Sequence, residues 1–166
     1  MRDWKYCPRC SAELERLGDD GNPYVRCPEC GFVKYNNPLP STIGIIRRGE
    51  EYLFLRRTND PQKGKWDAVG GFLAPGERAE DCLIREAEEE IGCTVTDIRV
   101  IGTYASVYGS TGLETIGIAF LCSLAPGDDI RLSPENDAYA WFRTDRIPEL
   151  AFDDVRKATS DALDIP

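Results

Sequence analysis

Apolar side chains recur at every fourth position in the middle of the chain, at Ala79, Leu83, Ala87 and Ile91. This spacing places them on one face of an α-helix. A turn sequence, Ala74-Pro75-Gly76, precedes them, and Gly92 follows as a helix terminator. The pattern therefore predicts an amphipathic helix between that turn and Gly92.

Apolar runs on both sides of this helix predict strands. The runs cover residues 42–47, 52–57, 94–108, 114–124 and 138–143. The turn residues 48–51 join the first two runs, which predicts a hairpin, and a polar loop over residues 133–137 precedes the last run. A second helix is expected from about Phe152 to Leu163, starting at Asp153 and Asp154.

The segment over residues 35–40 contains Pro38 and Pro40 and is expected to be a linker. Proline disfavours both a helix interior and a central strand. The chain is therefore predicted to divide into one domain over residues 1–37 and a second over residues 38–166.

Two C-x-x-C pairs stand in the first segment, at Cys7, Cys10, Cys27 and Cys30. This spacing is typical of a structural zinc site with four thiolate ligands, and two disulfides or unpaired thiols are the alternative. So short a segment buries little apolar surface, so a metal would supply much of its folding free energy. The other thiols, Cys82, Cys93 and Cys122, lie in apolar or helical surroundings and are expected to be buried core residues.

Composition and charge narrow the function. The chain has 166 residues, a net charge of −9 and no histidine. This acidity argues against binding to nucleic acid or to anionic membranes. The first 35 residues carry six basic and six acidic side chains, so a structural role or homodimer formation suits the zinc segment better than nucleic-acid binding. No apolar run is long enough for a transmembrane helix, and the first residues lack the apolar core of a signal peptide, so we expect a cytoplasmic protein.

The predicted first helix carries an unusual group of acids. Glu86, Glu89 and Glu90 share one stripe beside the apolar face and lie near the C-terminal end, where the helix dipole favours cations. A bound divalent cation would compensate their repulsion. Carboxylates without histidine or cysteine indicate Mg²⁺ or Mn²⁺.

The same stretch resembles the Nudix box, G-x5-E-x7-R-E-U-x-E-E-x-G-U, in which U is a bulky apolar residue. The matching residues are Gly71, Glu77, Arg85, Glu86, Glu89, Glu90 and Gly92, while Ala87 and Cys93 are smaller than residues usually found at the U positions. The resemblance implies an α/β fold, the Nudix α/β/α sandwich with a mixed sheet, here preceded by a small four-cysteine zinc ribbon. A zinc ribbon before a Nudix domain is similar to the NADH pyrophosphatases and to a group that cleaves FAD or ADP-ribose.

The resemblance also implies roles for individual residues. Glu86, Glu89 and Glu90 would hold the catalytic metals, assisted by the backbone carbonyl of Gly71 or its neighbour. Glu77 and Arg85 would form an ion pair that braces the loop against the helix. The general base would be a box glutamate or an acid in a downstream loop, where Glu135 lies and Asp137 is the alternative.

Substrate contacts are less constrained. Arg56 and Arg57 end a predicted strand. Such a pair is either solvated or supplies a phosphate contact, for which Arg56 is the candidate. Tyr104 and Tyr108 either stack on a nucleobase or pack on the sheet. The segment over residues 103–109 lacks the Pro- and Trp-rich motif of NADH-specific relatives.

The hypothesis at this point is a hydrolase that splits a nucleoside diphosphate linked to another moiety, such as ADP-ribose or FAD. It would release a nucleoside monophosphate and a phosphorylated fragment. The alternatives are a pyrophosphohydrolase acting on NADH or a nucleoside triphosphate, and a zinc-ribbon module that binds a nucleotide without cleaving it.

Overall fold

The computed structural model describes residues 4–19 and 21–165. The remaining residues, including the first three and Asp20 of the predicted zinc ribbon, lie outside the described part. The chain forms two compact units, Met1–Pro38 and Leu39–Pro166. No helix in the described ranges is both long enough and apolar enough to span a membrane.

The N-terminal unit is built on a small antiparallel sheet. Its strands are β1 (Glu15–Leu17), β2 (Tyr24–Arg26) and β3 (Val33–Tyr35), in the order β1-β2-β3. Leu14 and Val25 pack with the thiols of Cys7 and Cys27 in its small core. So few buried apolar side chains supply little hydrophobic stabilisation.

The larger unit contains a mixed sheet. Its strands are β4 (Leu39–Arg48), β5 (Glu51–Arg57), β6 (Trp66–Asp67), β7 (Val95–Val107), β8 (Glu114–Leu124) and β9 (Asn136–Arg143). The order is β6-β5-β4-β8-β7, and β9 pairs with β5. Strands β4 and β8 run parallel, while the other pairs are antiparallel. The predicted hairpin of the first two apolar runs is confirmed as β4 and β5.

The predicted linker over residues 35–40 is wrong at its C-terminal end. Strand β4 begins at Leu39 and includes Pro40, which is the partner of Ile116 in the parallel ladder with β8. The fixed φ of proline is compatible with an extended chain, and the Pro40 carbonyl still accepts a hydrogen bond from the Leu73 amide at 3.2 Å. Proline is therefore tolerated here, at the beginning of the strand.

Both predicted helices are confirmed, as α1 (Ala79–Ile91) and α2 (Asp153–Leu163). Gly92 ends α1 in the left-handed conformation, with φ 64° and ψ 24°, which glycine adopts without strain. Cys82, Cys93 and Cys122 are buried, as expected.

The two helices cover opposite faces of β4, because side chains alternate along a strand. Ile43 and Ile45 belong to one core cluster with Val155 of α2, whereas Ile46 belongs to another with Leu83 of α1. On the α1 side the approach is close, since a Cβ on Gly44 would lie 2.6 Å from Leu83 Cδ1. The arrangement is the expected α/β/α sandwich.

Candidate active site

The four N-terminal cysteines form a tight cluster of thiols. Their Sγ atoms all lie within 4.8 Å of one another, and none is disulfide-bonded. Both C-x-x-C segments use the same turn: Ser11 and Gly31 follow the second cysteine of each pair, have positive φ values of 62° and 72°, and donate their amides to the carbonyls of Cys7 and Cys27. This geometry fits a metal ion held by four thiolates.

In the larger unit, a loop at Gly70 and Gly71 lies against β4. The Thr42 amide donates to the Gly71 carbonyl at 2.8 Å, and the Gly44 amide donates to the Val69 carbonyl at 2.7 Å. A Cβ on Gly70 would lie 2.1 Å from the Thr42 carbonyl oxygen, and Gly70 has a positive φ of 153°. Only glycine fits this approach. The Gly71 carbonyl, predicted to assist a metal, is thus already engaged with β4 through one lone pair.

The same loop meets the acids of α1. A Cβ on Gly71 would lie 2.3 Å from Glu86 Oε1, so the missing side chain leaves room for that carboxylate. The Gly70 amide donates to Glu90 Oε2 at 3.0 Å. The loop and the last turns of α1 therefore hold two carboxylates within a short distance of the same backbone.

Burial makes ionisation of these acids costly. Burial raises the pKa of Glu90 to about 8, with nearby Asp67, Glu86 and Glu135 adding repulsion and the Gly70 amide opposing the change. Burial also raises the pKa of Glu86, against the effect of Arg85. Such a group of oxygen ligands, short of positive charge, fits a hard divalent cation.

Arg85 is the positive charge that the site does contain. Its guanidinium donates to Glu77 Oε1 at 2.8 Å and to Oε2 at 3.1 Å, which confirms the predicted pair. It also donates to Glu86 at 2.7 Å and to Glu89 at 3.2 Å. The pair holds the pKa of Glu77 down at about 2, helped by the Ala74 amide, so Glu77 stays ionised.

The three box glutamates nevertheless do not converge on one point. Within residues 4–19 and 21–165, the four cysteines are the one group of three or more candidate ligands whose donor atoms lie close together. Glu86 and Glu89 instead accept hydrogen bonds from Arg85, while Glu90 accepts one from the Gly70 amide. Joint binding of a cation would require Glu86 and Glu89 to exchange part of their contact with Arg85 for the cation.

These acids open onto a cavity of about 550 Å³. Of the residues predicted for the site, those that line it are Gly71, Glu86, Glu89, Glu90, Tyr108 and Glu135. A cavity of this size accommodates a nucleotide-sized ligand.

Aromatic rings form another part of its wall. Tyr108 stacks on Phe152 with ring centroids 5.2 Å apart and meets the edge of Phe72 at 5.5 Å. Arg57 lies over the Phe152 ring at 5.0 Å and donates to the Tyr108 hydroxyl at 3.3 Å and to Asp67 at 2.9 Å. Burial raises the pKa of Asp67 to about 6, although Arg57 opposes this rise.

Of the predicted residues of the larger unit that do not line the cavity, Glu77 and Arg85 form the pair described above, and Arg56, Asp137 and Tyr104 lie elsewhere. Arg56 pairs with Asp137 at 2.6 Å, and neither residue lines the cavity. The Tyr104 hydroxyl donates to Asp161 at 2.7 Å, and the ring packs against the α2 side of the core. For Tyr104 the structure therefore favours the sheet-packing alternative.

Several lining residues are not among the predicted site residues: Asp67, Phe72, Asn136, Phe152 and Asp154. Of the pair Arg56 and Arg57, Arg56 is the predicted contact, but Arg57 is the one that lines the cavity, because neighbouring side chains of a strand point to opposite faces. Phe152 and Asp154 stand at the predicted start of α2, but no local pattern shows that this helix begins at the cavity.

Comparisons with known proteins agree with this arrangement. A family model described as NUDIX domain matches residues 38–162. A curated relative from Chromobacterium violaceum, named NAD-capped RNA hydrolase NudC, is 32% identical over 146 residues, which cover 88% of this chain and 52% of the relative. The chain spans about half the length of the curated relatives it matches.

Solved structures show the same fold. A NUDIX hydrolase from Nitrosomonas europaea has a TM-score of 0.75 at 24% identity, covering 96% of this chain and 90% of that one. The NUDIX domain of Shewanella oneidensis NrtR, in complex with ADP ribose, has a TM-score of 0.65 at 16% identity, covering 77% of this chain and 88% of that one.

Replacing Arg85 should release the turn before α1. The Ala74 amide donates a hydrogen bond to Glu77 at 2.8 Å. In Arg85→Ala, Glu77 loses its charged partner, so this amide becomes less protected from hydrogen exchange. We expect its hydrogen exchange to rise about tenfold or more, measured by mass spectrometry or NMR. Arg78→Ala is the matched control, because the Arg78 side chain is 74% exposed and lies 3.6 Å from Glu80. Equal exchange in both variants would contradict the bracing role.

Proposed function

Because the chain belongs to the NUDIX family, we propose that it is a metal-dependent hydrolase of the pyrophosphate bond in nucleoside diphosphate conjugates. Conjugates such as ADP-ribose or FAD would yield a nucleoside monophosphate and a phosphorylated fragment. One observation carries the proposal: the carboxylates of Glu86, Glu89 and Glu90 line the same cavity as the aromatic wall at Phe72 and Tyr108. That combination suits a ligand with an anionic diphosphate and a planar base.

Glu86, Glu89 and Glu90 would hold Mg²⁺ or Mn²⁺, with the second lone pair of the Gly71 carbonyl available to assist. When bound, the cation neutralises the diphosphate and lowers the pKa of an attacking water. The protein holds Glu90 in place through the Gly70 amide, and the absent Cβ of Gly71 makes room for Glu86. Arg85 donates to Glu86 and Glu89, balances their charge and connects them to Glu77.

Glu135 is the proposed general base. Its side chain is exposed and lines the cavity, and its backbone carbonyl is held by the Thr58 amide at 2.9 Å and by the Thr58 hydroxyl. A carboxylate at this place can accept a proton from the attacking water. A box glutamate is the alternative base, whereas Asp137 is committed to Arg56 outside the cavity.

Two comparisons bear on the substrate class, one favouring ADP-ribose and one favouring NADH. The NrtR domain of similar fold was solved with ADP ribose, which is itself a nucleoside diphosphate conjugate. NADH is the second candidate, because curated relatives are named NAD-capped RNA hydrolases. Against it, residues 103–109 lack the Pro- and Trp-rich motif of NADH-specific relatives.

For the N-terminal segment, residues 1–37, we propose a structural zinc ribbon attached to a hydrolase domain over residues 38–166. The thiol cluster supports zinc, and seven free cysteines suit the reducing cytoplasm. Fractionation of cells would test that location. A homodimer stays a prediction, which size-exclusion chromatography coupled to light scattering would test.

Glu90→Gln should lower kcat/KM by about 100-fold or more, because a neutral amide cannot supply the charge that the cation requires. The assay is hydrolysis of ADP-ribose, FAD, NADH, diadenosine polyphosphates and nucleoside triphosphates with Mg²⁺ or Mn²⁺, with products identified by mass. Glu88→Gln is the control, since Glu88 is exposed on the same helix and does not line the cavity.

Each alternative has its own outcome in that assay. Release of inorganic pyrophosphate from a triphosphate would favour the triphosphate alternative. If the wild type binds these compounds and cleaves none, the chain is a binding module. Unchanged turnover in Glu90→Gln would show that the metal assignment is wrong.

Glu135→Gln should lower kcat about 100-fold, because the amide cannot take up a proton from the attacking water. Asp137→Asn should keep the wild-type kcat, since Asp137 pairs with Arg56. Steady-state kinetics of ADP-ribose hydrolysis compare the two variants. An unchanged kcat in Glu135→Gln would assign the base to a box glutamate.

The purified protein should contain about one zinc per chain, measured by mass spectrometry of the metal. Cys27→Ser should lose most of it, because one of four thiolates is gone. Cys93→Ser should retain it, since Cys93 is a buried thiol of the other unit. Equal zinc contents in the two variants would rule out the four-cysteine site.

A further inference from the structure

The loop that carries Glu135 is a tight turn. The Asn136 amide donates to the Ser133 carbonyl at 3.2 Å, so residues 133–136 form a β-turn. Serine is favoured at the first position of such a turn and proline at the second, where Pro134 supplies the fixed φ that is required. Glu135 occupies the third position, and its amide donates to the Ser133 hydroxyl at 3.3 Å. The turn therefore presents Glu135 directly before β9 begins.

One side of this turn is joined to α1. The Ser133 amide donates to the carbonyl of Glu90 at 2.9 Å, and the Arg131 amide donates to the carbonyl of Ile91 at 2.8 Å. The last carbonyls of a helix have no partner within the helix, and here the loop supplies two of the partners. The segment that carries Glu135 is thus hydrogen-bonded to the backbone of a proposed metal ligand.

The other side of the turn is held by Thr58, which follows β5. The Thr58 hydroxyl lies 2.9 Å from the carbonyl oxygens of both Pro134 and Glu135 and donates its single proton to this pair. The Thr58 amide also donates to the Glu135 carbonyl, at 2.9 Å. These two carbonyls belong to the peptide groups before and after Glu135. Thr58 therefore fixes the direction in which the Glu135 side chain extends from the backbone.

Glu135 needs this support because charge acts against its position. It repels Glu86 and Glu90 and contributes to the raised pKa of each of them. The same repulsion acts on the exposed Glu135 carboxylate and directs it away from the box acids, toward solvent. A general base must stay within hydrogen-bond reach of the attacking water, and a displacement of about 1 Å can cost about 100-fold in rate. Anchoring the backbone limits such a displacement.

We propose that Thr58 is a positioning residue for the general base. Its hydroxyl holds the turn so that the Glu135 carboxylate faces the attacking water, while Thr58 itself does not line the cavity. The inference rests on the proposed function, in which Glu135 accepts the proton. It assigns to Thr58 an effect on kcat that acts through Glu135 and leaves substrate binding unchanged.

Thr58→Val removes the hydroxyl and keeps the amide and the shape of the side chain. With Mg²⁺ and the conjugate that the wild type cleaves fastest, we expect kcat to fall about tenfold and KM to change less than about twofold. Thr58→Ser retains the hydroxyl and should keep kcat within about twofold of the wild type. A wild-type kcat in Thr58→Val, or an effect on KM alone, would overturn the proposal.

Thr144 supplies a matched control. Its amide and its hydroxyl also donate to a single carbonyl, that of Glu50, at 3.2 and 3.3 Å, and Thr144 does not line the cavity. Thr144→Val should therefore keep the wild-type kcat. An equal fall in Thr144→Val and Thr58→Val would show a general loss of stability and contradict a role specific to Glu135.

A double variant tests whether Thr58 acts through Glu135. When Thr58→Val is combined with Glu135→Gln, kcat should equal that of Glu135→Gln within about twofold, because the carboxylate to be positioned is gone. Independent effects would multiply, so a further fall of about tenfold in the double variant would overturn the proposal. An unchanged kcat in Glu135→Gln would also overturn it, since Glu135 would then not be the base.

Failure of the proposed function gives a different result. In that case the wild type cleaves none of the conjugates, and NMR measures hydrogen exchange of the Asn136 amide within the turn. We expect this exchange to be about tenfold faster in Thr58→Val than in Thr58→Ser or Thr144→Val. Such a difference would support the anchoring of Glu135 by Thr58 even if the hydrolase assignment fails. Equal exchange in the three variants would overturn the anchoring, and with it the proposal, whatever the activity.

Discussion

The close approach of Gly70 and Gly71 to their neighbours is the constraint on which the site depends. Gly70 occupies a place where any Cβ would meet the Thr42 carbonyl, and Gly71 one where a Cβ would meet the carboxylate of Glu86. The loop is thereby held between β4 and α1. It contacts both β4, through the Thr42 amide, and α1, through the carboxylate of Glu90.

Charge is the second organising factor, and it opposes stability. Glu86 and Glu90 sit where burial and mutual repulsion disfavour their ionised forms. Arg85 offsets part of this cost through three carboxylates, and Glu77 keeps Arg85 in place. A structure with this balance accommodates one more positive charge readily, which is the physical reason to expect a cation and the anionic substrate that a cation attracts.

The two sides of the cavity differ in how much of each could be predicted from the sequence. The acidic side comes from one continuous stretch, in which helical spacing alone groups Glu86, Glu89 and Glu90. The pairing of Glu77 with Arg85 was predicted from the resemblance of this stretch to the Nudix box. The thiol cluster was accessible to local reasoning, since its ligands come in two short repeats.

The opposite wall of the cavity could not be predicted from the sequence, because it combines residues far apart in the chain. Arg57, Asn136 and Asp154 meet only through the pairing of β5 with β9 and the placement of α2. Local patterns do not contain that information. They also misjudged Pro40, where pairing with β8 overrides the usual preference of proline.

The alternation of β4 has a consequence for how such a site can change over evolutionary time. Its two faces support α1 and α2 separately, so the acidic side of the cavity and the side at Asp154 are anchored in different core clusters. Substitutions at the start of α2 or in the loop before β9 can accumulate while the packing beneath α1 stays intact. A single scaffold of this kind can therefore diversify in the molecules it accepts and still keep one chemistry.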